Sequence, residues 1–189
     1  MSGDRSPGVR LHGDVPSSGP MRDRLKLPTA NRSRTAPERQ QTLRAARSGA
    51  TLVEWLCGTR HEYALTFARI DLVGALLALD DCAQARTIAQ AAWAKPPALE
   101  AQHAATAYLA LLAALERRPR AAAQLVGYSE ALYAARNEVR EANETAATDR
   151  ARTLAVGALG DAAFDRLCAA GAKLRDVEIE AIAFATADV

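Results

Sequence analysis

The sequence predicts an all-α fold, and three observations carry the prediction. Hydrophobic residues make up 49% of the 189-residue chain but aromatics only 5%, so the apolar content is mostly alanine and leucine, the strongest helix formers. β-Branched residues form no long alternating runs of the kind a half-buried strand needs. Apolar positions instead recur at three- and four-residue spacing between short polar turns, as in antiparallel helix hairpins. The length suffices for one domain with a sizeable core plus a tail.

Residues 1–36 interleave Gly3, Pro7, Gly8, Gly13, Pro16, Gly19, Pro20 and Pro28 with Arg and Ser and show no apolar stripe, which predicts disorder. Pro37-Glu38 can open a helix towards Arg47, capped by Thr35 or Ala36, and Ser48-Gly49 is expected to interrupt it. Thr51–Cys57 reads as a short apolar helix stopped by Gly58. The division drawn from this is a disordered basic Pro/Gly/Arg-rich arm over 1–50 and a helical-repeat-like domain over 51–189. Residues 1–50 hold ten Lys/Arg and four Asp/Glu, a net of +6, which leaves −4 for residues 51–189 out of the total of +2. Such an arm either contacts phosphates or extends as a solvated tail.

A first long helix is expected from His61 to Leu79, with Leu65, Ala68, Leu72, Ala75, Leu76 and Leu79 on its stripe. Asp80-Asp81 makes a polar turn into a partner helix from Cys82 to Ala94, ended by Lys95-Pro96-Pro97. A second pair follows, Ala98–Glu116 and a helix marked by Ala122, Leu125, Val126, Ser129, Leu132 and Tyr133 that runs to Ala135, joined by the polar turn Glu116-Arg117-Arg118-Pro119-Arg120, in which Pro119 ends the first run or opens the next. Ala85 and Ala122 hold equivalent places 37 residues apart, a period in the range of helical solenoids and slightly above the tetratricopeptide value of about 34. A polar connector then leads to a helix capped by Asn143 and reaching Leu159, with Gly160 as a left-handed stop. Asp161 is expected to cap a short helix closed by Gly171, and Asp176 a final one. The fold class is thus a short α-solenoid of tetratricopeptide-like antiparallel hairpins.

Arg118, Ala122, Ala123, Leu125 and Gly127 are followed in order by Leu159, Gly160, Ala163, Phe164, Gly171 and Leu174. In that order the carboxy-terminal half resembles the closing segment of bacterial ATP-binding winged-helix transcriptional regulators. The resemblance covers about residues 51–187 and implies the family's helical-repeat sensor region. The chain carries no GxxxxGK[ST] phosphate loop and no winged helix before residue 50. The implied function is therefore that of a non-catalytic regulatory or protein-interaction module, a truncated or split form that reaches DNA only indirectly, through a winged-helix partner domain. The alternative is a stand-alone helical-repeat adaptor, and a small enzyme is the third reading.

No catalytic, cofactor-binding or metal site is expected. His12, His61 and His103 lie outside metal-ligand spacing of one another and of any cysteine. Cys57, Cys82 and Cys168 form no CxxC pair and read as reduced thiols, Cys57 beside Trp55 and Cys168 on a stripe with Phe164 as buried small hydrophobes. Glu138, Glu141 and Glu144 with Arg136 and Arg140 have the spacing of solvated ion pairs. The candidates for contact with a protein partner or small effector are Tyr108, Tyr128 and Tyr133, which could border a concave groove with Tyr63 and Trp93, and the basic turn Arg117, Arg118 and Arg120. Core packing and a solubilising turn are the competing readings. No run matches a membrane span or a signal peptide, so a cytoplasmic protein is expected.

Overall fold

The computed structural model describes residues 35–94 and 98–188, which form eight helices and no strand. They are α1 (Ala36–Leu56), α2 (Glu62–Ala78), α3 (Cys82–Trp93), α4 (Ala98–Leu115), α5 (Pro119–Arg136), α6 (Ala142–Leu159), α7 (Asp161–Gly171) and α8 (Asp176–Ala183). The expected disorder of residues 1–34 lies outside the described residues, as do Lys95-Pro96-Pro97.

The largest departure from the sequence reading is at the start. Residues 36–50 belong to the fold, and α1 runs unbroken through Ser48-Gly49. Ala46, Ala50, Val53 and Leu56 recur every three or four residues and are all buried. Burying Val53 and Leu56 is worth about 1.5–3 kcal/mol each, more than the roughly 1 kcal/mol that one glycine costs a helix interior. Gly49 faces Leu72 of α2, where even an alanine methyl would make only an ordinary 3.5 Å contact.

The two central hairpins share one turn geometry. Asp81 and Arg118 donate their N–H groups to the carbonyls of Leu76 and Ala113, and Asp80 and Arg117 to those of Leu77 and Ala114. Asp80 and Arg117 both take positive φ, at 60° and 61°. The same paired bonds recur at the end of α5, where Asn137 has φ 51° and Glu138 reaches back to Tyr133. The 37-residue spacing seen between Ala85 and Ala122 thus reappears in the backbone, because this helix exit requires a left-handed residue wherever it occurs.

Each helix from α1 to α6 packs on the next, and α2 also packs on α4, α4 on α6, and α5 on α7 and α8. α4 is central, touching α2, α3, α5, α6 and α8. Its residues Tyr108–Ala113 are buried on every side, as an interior helix must be. Leu112 is fully enclosed, so Leu112→Ala should cost about 2–5 kcal/mol in chemical denaturation. A loss below about 1 kcal/mol would mean that α4 is not the packing centre.

Three caps differ from expectation. Glu141, not Asn143, caps α6, and its N–H is held by Glu144 Oε2 at 3.0 Å. Gly160 ends α6 and starts α7 at φ 76°, ψ 157°, so Asp161 is the first helical residue instead of its cap. Arg175 caps α8, its N–H bonded to Glu178 at 3.0 Å, and Asp176 is again one residue inside.

Candidate functional site

Of the six residues proposed from sequence as partner contacts, three are committed to the fold. Tyr128 is 4% exposed and donates its hydroxyl to Asp176 at 2.6 Å, tying α5 to α8. Tyr133 is 5% exposed and donates to Glu144 at 2.6 Å. Arg118 is 3% exposed. It binds Glu116 and caps the carboxyl end of α8 by donating to the Ile182 and Ala183 carbonyls at 2.9 and 2.7 Å. Arg86 grips the other side of Glu116 and the carbonyls of Phe184 and Ala185. Tyr108 is buried as a residue yet edges a groove described below.

Arg117 and Arg120 remain exposed. The Arg120 and Ala121 N–H groups at the start of α5 both donate to the Asp188 carboxylate, at 3.1 Å in each case. The basic turn therefore anchors the chain's own carboxyl-terminal segment. Its partner lies 64–68 residues away in sequence, which local spacing does not reveal.

The connector between α5 and α6 is also more than solvated ion pairs. Arg140 lies over the Tyr133 ring at 4.4 Å and donates to Ser129 Oγ at 3.2 Å. His103 meets the same ring edge-on and pairs with Glu138 at 3.4 Å. This network fixes the angle between α4, α5 and α6.

An open groove of about 380 Å³ runs between α1, α2, α4 and α6. Its walls are small: Ala45 from α1, Gly74 and Ala78 from α2, Ala146 and Ala147 from α6. Gly74 is needed here, because a Cβ would fall 2.8 Å from the Tyr108 ring. Polar groups converge along it from Gln41, Asp71, Tyr108, Asn143 and Arg150. Arg150 is held by Asp80 at 2.7 Å. Asp71 is exposed at the rim, and no cation among the described residues pairs with it. Partial burial, then the charges of Glu141 and Glu144, push its carboxyl above the ordinary range. Burial and the same acids push the Tyr108 hydroxyl up as well, against a lowering hydrogen bond with Asn143. The groove thus has small apolar walls and one carboxylate, Asp71, without a paired cation at its rim. Trp93 and the inner edge of Tyr108 face a separate void of about 10 Å³ between α2, α3 and α4, room for one water at most.

The thiols differ in setting. Cys57 is exposed, whereas Cys82 and Cys168 are half-buried. Burial and nearby acids raise the Cys82 thiol to about 11. Burial, then Glu130, raises Cys168, whose Sγ lies 3.7 Å from a Glu130 oxygen. At pH 8 Cys82 holds about one thiolate per thousand molecules. With an aromatic disulfide reagent one thiol, Cys57, should therefore react quickly, Cys82 about 100-fold more slowly, and Cys168 more slowly than Cys57 as well. Three fast thiols would contradict this packing.

Among the described residues no three His, Cys, Asp or Glu side chains converge as metal ligands, and no helix is long and apolar enough to cross a membrane. Leu52, Trp55 and Tyr63 stay exposed along α1 and the first turn of α2. Comparison with protein-family models, curated proteins and solved structures finds no match to this chain.

Proposed function

We propose that the chain is a non-catalytic, regulatory protein-interaction module. In this reading it is a short tetratricopeptide-like solenoid that binds an extended segment of a protein partner. The groove between α1, α2, α4 and α6 is the observation that carries the proposal. Three of its four walls, α2, α4 and α6, are the first helices of successive hairpins, the surface that helical solenoids use for binding. The 37-residue recurrence of the turns and the packing of α2 on α4 and α4 on α6 support the solenoid arrangement. An open channel walled by alanines suits an extended backbone better than a small effector, most of whose surface would stay in water.

The regulatory part of the proposal comes from the resemblance of residues 118–174 to the closing helices of winged-helix regulators. Binding in the groove would shift helix packing, and a DNA-binding partner would receive that shift. A cytoplasmic site of action, where free thiols stay reduced, belongs to the same reading.

The test is selection of 12-residue peptides from a random library on the full chain, followed by titration against Ala146→Arg. Ala146 lines the groove from an exposed helical position, so arginine there fills the channel while leaving the core untouched. Selected peptides should bind at least tenfold more weakly to this variant, and equally well to Ala162→Arg, at an exposed position of α7. Peptides indifferent to Ala146→Arg, or no peptides at all, would refute the groove as the binding site.

A further inference from the structure

We propose that the chain carries its own groove ligand, the basic segment of residues 22–34, which competes with the partner for the channel between α1, α2, α4 and α6. The inference rests on the groove's being a peptide site, as proposed above.

Three observations converge on this occupant. The first is connectivity. Residues 1–34 join α1 through Thr35, and the α1 residues Gln41, Thr42 and Ala45 line the groove. Gln41 is five residues into the helix, about 7.5 Å from its start. The nine residues from Leu27 to Ala36 can span up to about 30 Å. The segment therefore reaches back along the channel without strain.

The second is charge. Residues 22–34 hold Arg22, Arg24, Lys26, Arg32 and Arg34 against the single acid Asp23. At the groove, Asp71 lies exposed on the rim with no cation paired to it among the described residues, and partial burial, then the charges of Glu141 and Glu144, raises its carboxyl. The nearby cations are already engaged, Arg150 with Asp80 and Arg140 with Tyr133 and Ser129. A guanidinium from the arm would pair with Asp71, and it would do so in a partly desolvated channel where the attraction is stronger than in open water.

The third is pattern. Arg24-Leu25-Lys26-Leu27-Pro28 alternates basic and apolar residues. In an extended backbone such alternation turns the two leucines to one side and the basic pair to the other. That matches a channel with alanines along its walls and Asp71 on its rim. Pro28 favours the extended conformation at Leu27 before it.

The experiment compares the full chain with a full-length variant in which Arg22, Arg24, Lys26, Arg32 and Arg34 are all glutamine. A synthetic peptide of residues 20–34 is titrated into each at low salt. A tethered ligand acts at an effective concentration near the millimolar range, so a peptide of mid-micromolar affinity should bind the natural chain about tenfold or more weakly than the variant. Asp71→Arg or Ala146→Arg placed in the variant should abolish the peptide's binding, and raised salt should weaken it. Equal binding to natural chain and variant, or no binding to the variant, would overturn the proposal. Sedimentation of the natural chain as a dimer would assign the arm to a second copy and also overturn it. The library-selected peptides separate the two readings. If they need the groove but bind both proteins equally, the arm proposal fails and the peptide site stands. If they ignore the groove, the peptide site fails.

Discussion

Gly127→Ala is expected to lower stability by about 3 kcal/mol, the upper end of the usual cost of overpacking. Gly127 lies in α5, where an added Cβ would sit 1.9 Å from the Cys168 carbonyl oxygen and 2.9 Å from its Cα. Both atoms are backbone, so no side-chain rotation can make room and α7 has to move as a unit. The contact is reciprocal: a Cβ on Gly171 would fall 2.0 Å from the carbonyl oxygen of Gln124 in α5. Gly171→Ala should therefore cost a similar amount. The double variant should lose less than the sum, because once α7 has shifted the second methyl meets no further obstacle. Guanidinium unfolding followed by helical circular dichroism measures all three. A loss below about 1 kcal/mol for either single variant would mean that α5 and α7 do not meet in this way. Strict additivity would mean that the two glycines do not share one interface.

Arg118→Ala should cost about 3 kcal/mol as well, by a different mechanism. Glu116 keeps Arg86 but loses its second guanidinium partner, and charged hydrogen bonds at a buried site are among the costly ones to lose. The substitution also frees the carbonyls of Ile182 and Ala183, which cap the end of α8. Arg118→Lys should recover little, since one ammonium cannot reach two carbonyls and the Glu116 carboxylate together. Amide exchange separates this loss from general destabilisation: α8 should open first, while α2 and α4 keep their protection. Uniform acceleration across all helices would refute a local anchoring role. The pH dependence gives a second readout. Burial alone would raise the Glu116 carboxyl, but hydrogen bonds from Arg86 and Arg118 outweigh it and hold it below the ordinary range. A carboxyl lowered in the folded state stabilises the fold at neutral pH, and that contribution disappears as pH falls through the lowered value. The acid-sensitive part of stability should shrink in Arg118→Ala.

Helix periodicity made the central part of the fold legible. The stripes of α2 to α5 and the turns at Asp80 and Arg117 lie where local spacing puts them, within a residue or two. The expected break at Ser48-Gly49 failed because a glycine's local cost is small beside the burial of Val53 and Leu56 against a helix the local pattern does not show. The caps failed for a related reason. Asn143, Asp161 and Asp176 are good capping residues, but Glu141, Gly160 and Arg175 occupy the boundaries that packing sets. Gly127 and Gly171 were marked by the resemblance to the regulators' closing helices, and Gly171 was read as a stop. The structure gives both a packing reason, close approach of one backbone to another.

The candidate site was less legible. Tyr108 was singled out, and it does edge the groove. Tyr128, Tyr133 and Arg118 look the same in sequence, yet their polar atoms are bound to Asp176, Glu144 and the end of α8. An exposed aromatic and a buried one have the same helical spacing, so only the identity of the facing helix separates them. Asp71 and the alanines of the groove carry no local signal at all. They come from four helices spread over more than 100 residues, and their meaning arises when α1, α2, α4 and α6 are brought side by side.

By itself the sequence determined an all-helical chain with two equivalent hairpin turns 37 residues apart and a basic segment ahead of them. These features depend on backbone propensity, spacing and composition, which act over a few residues. The tertiary structure alone decided that α1 continues through its glycine, that the basic turn holds the chain's own carboxyl-terminal segment, and that Asp71 borders a groove between four helices. Each of those outcomes depends on which distant surface a side chain meets, and burial and hydrogen bonding at that surface outweigh the local preferences.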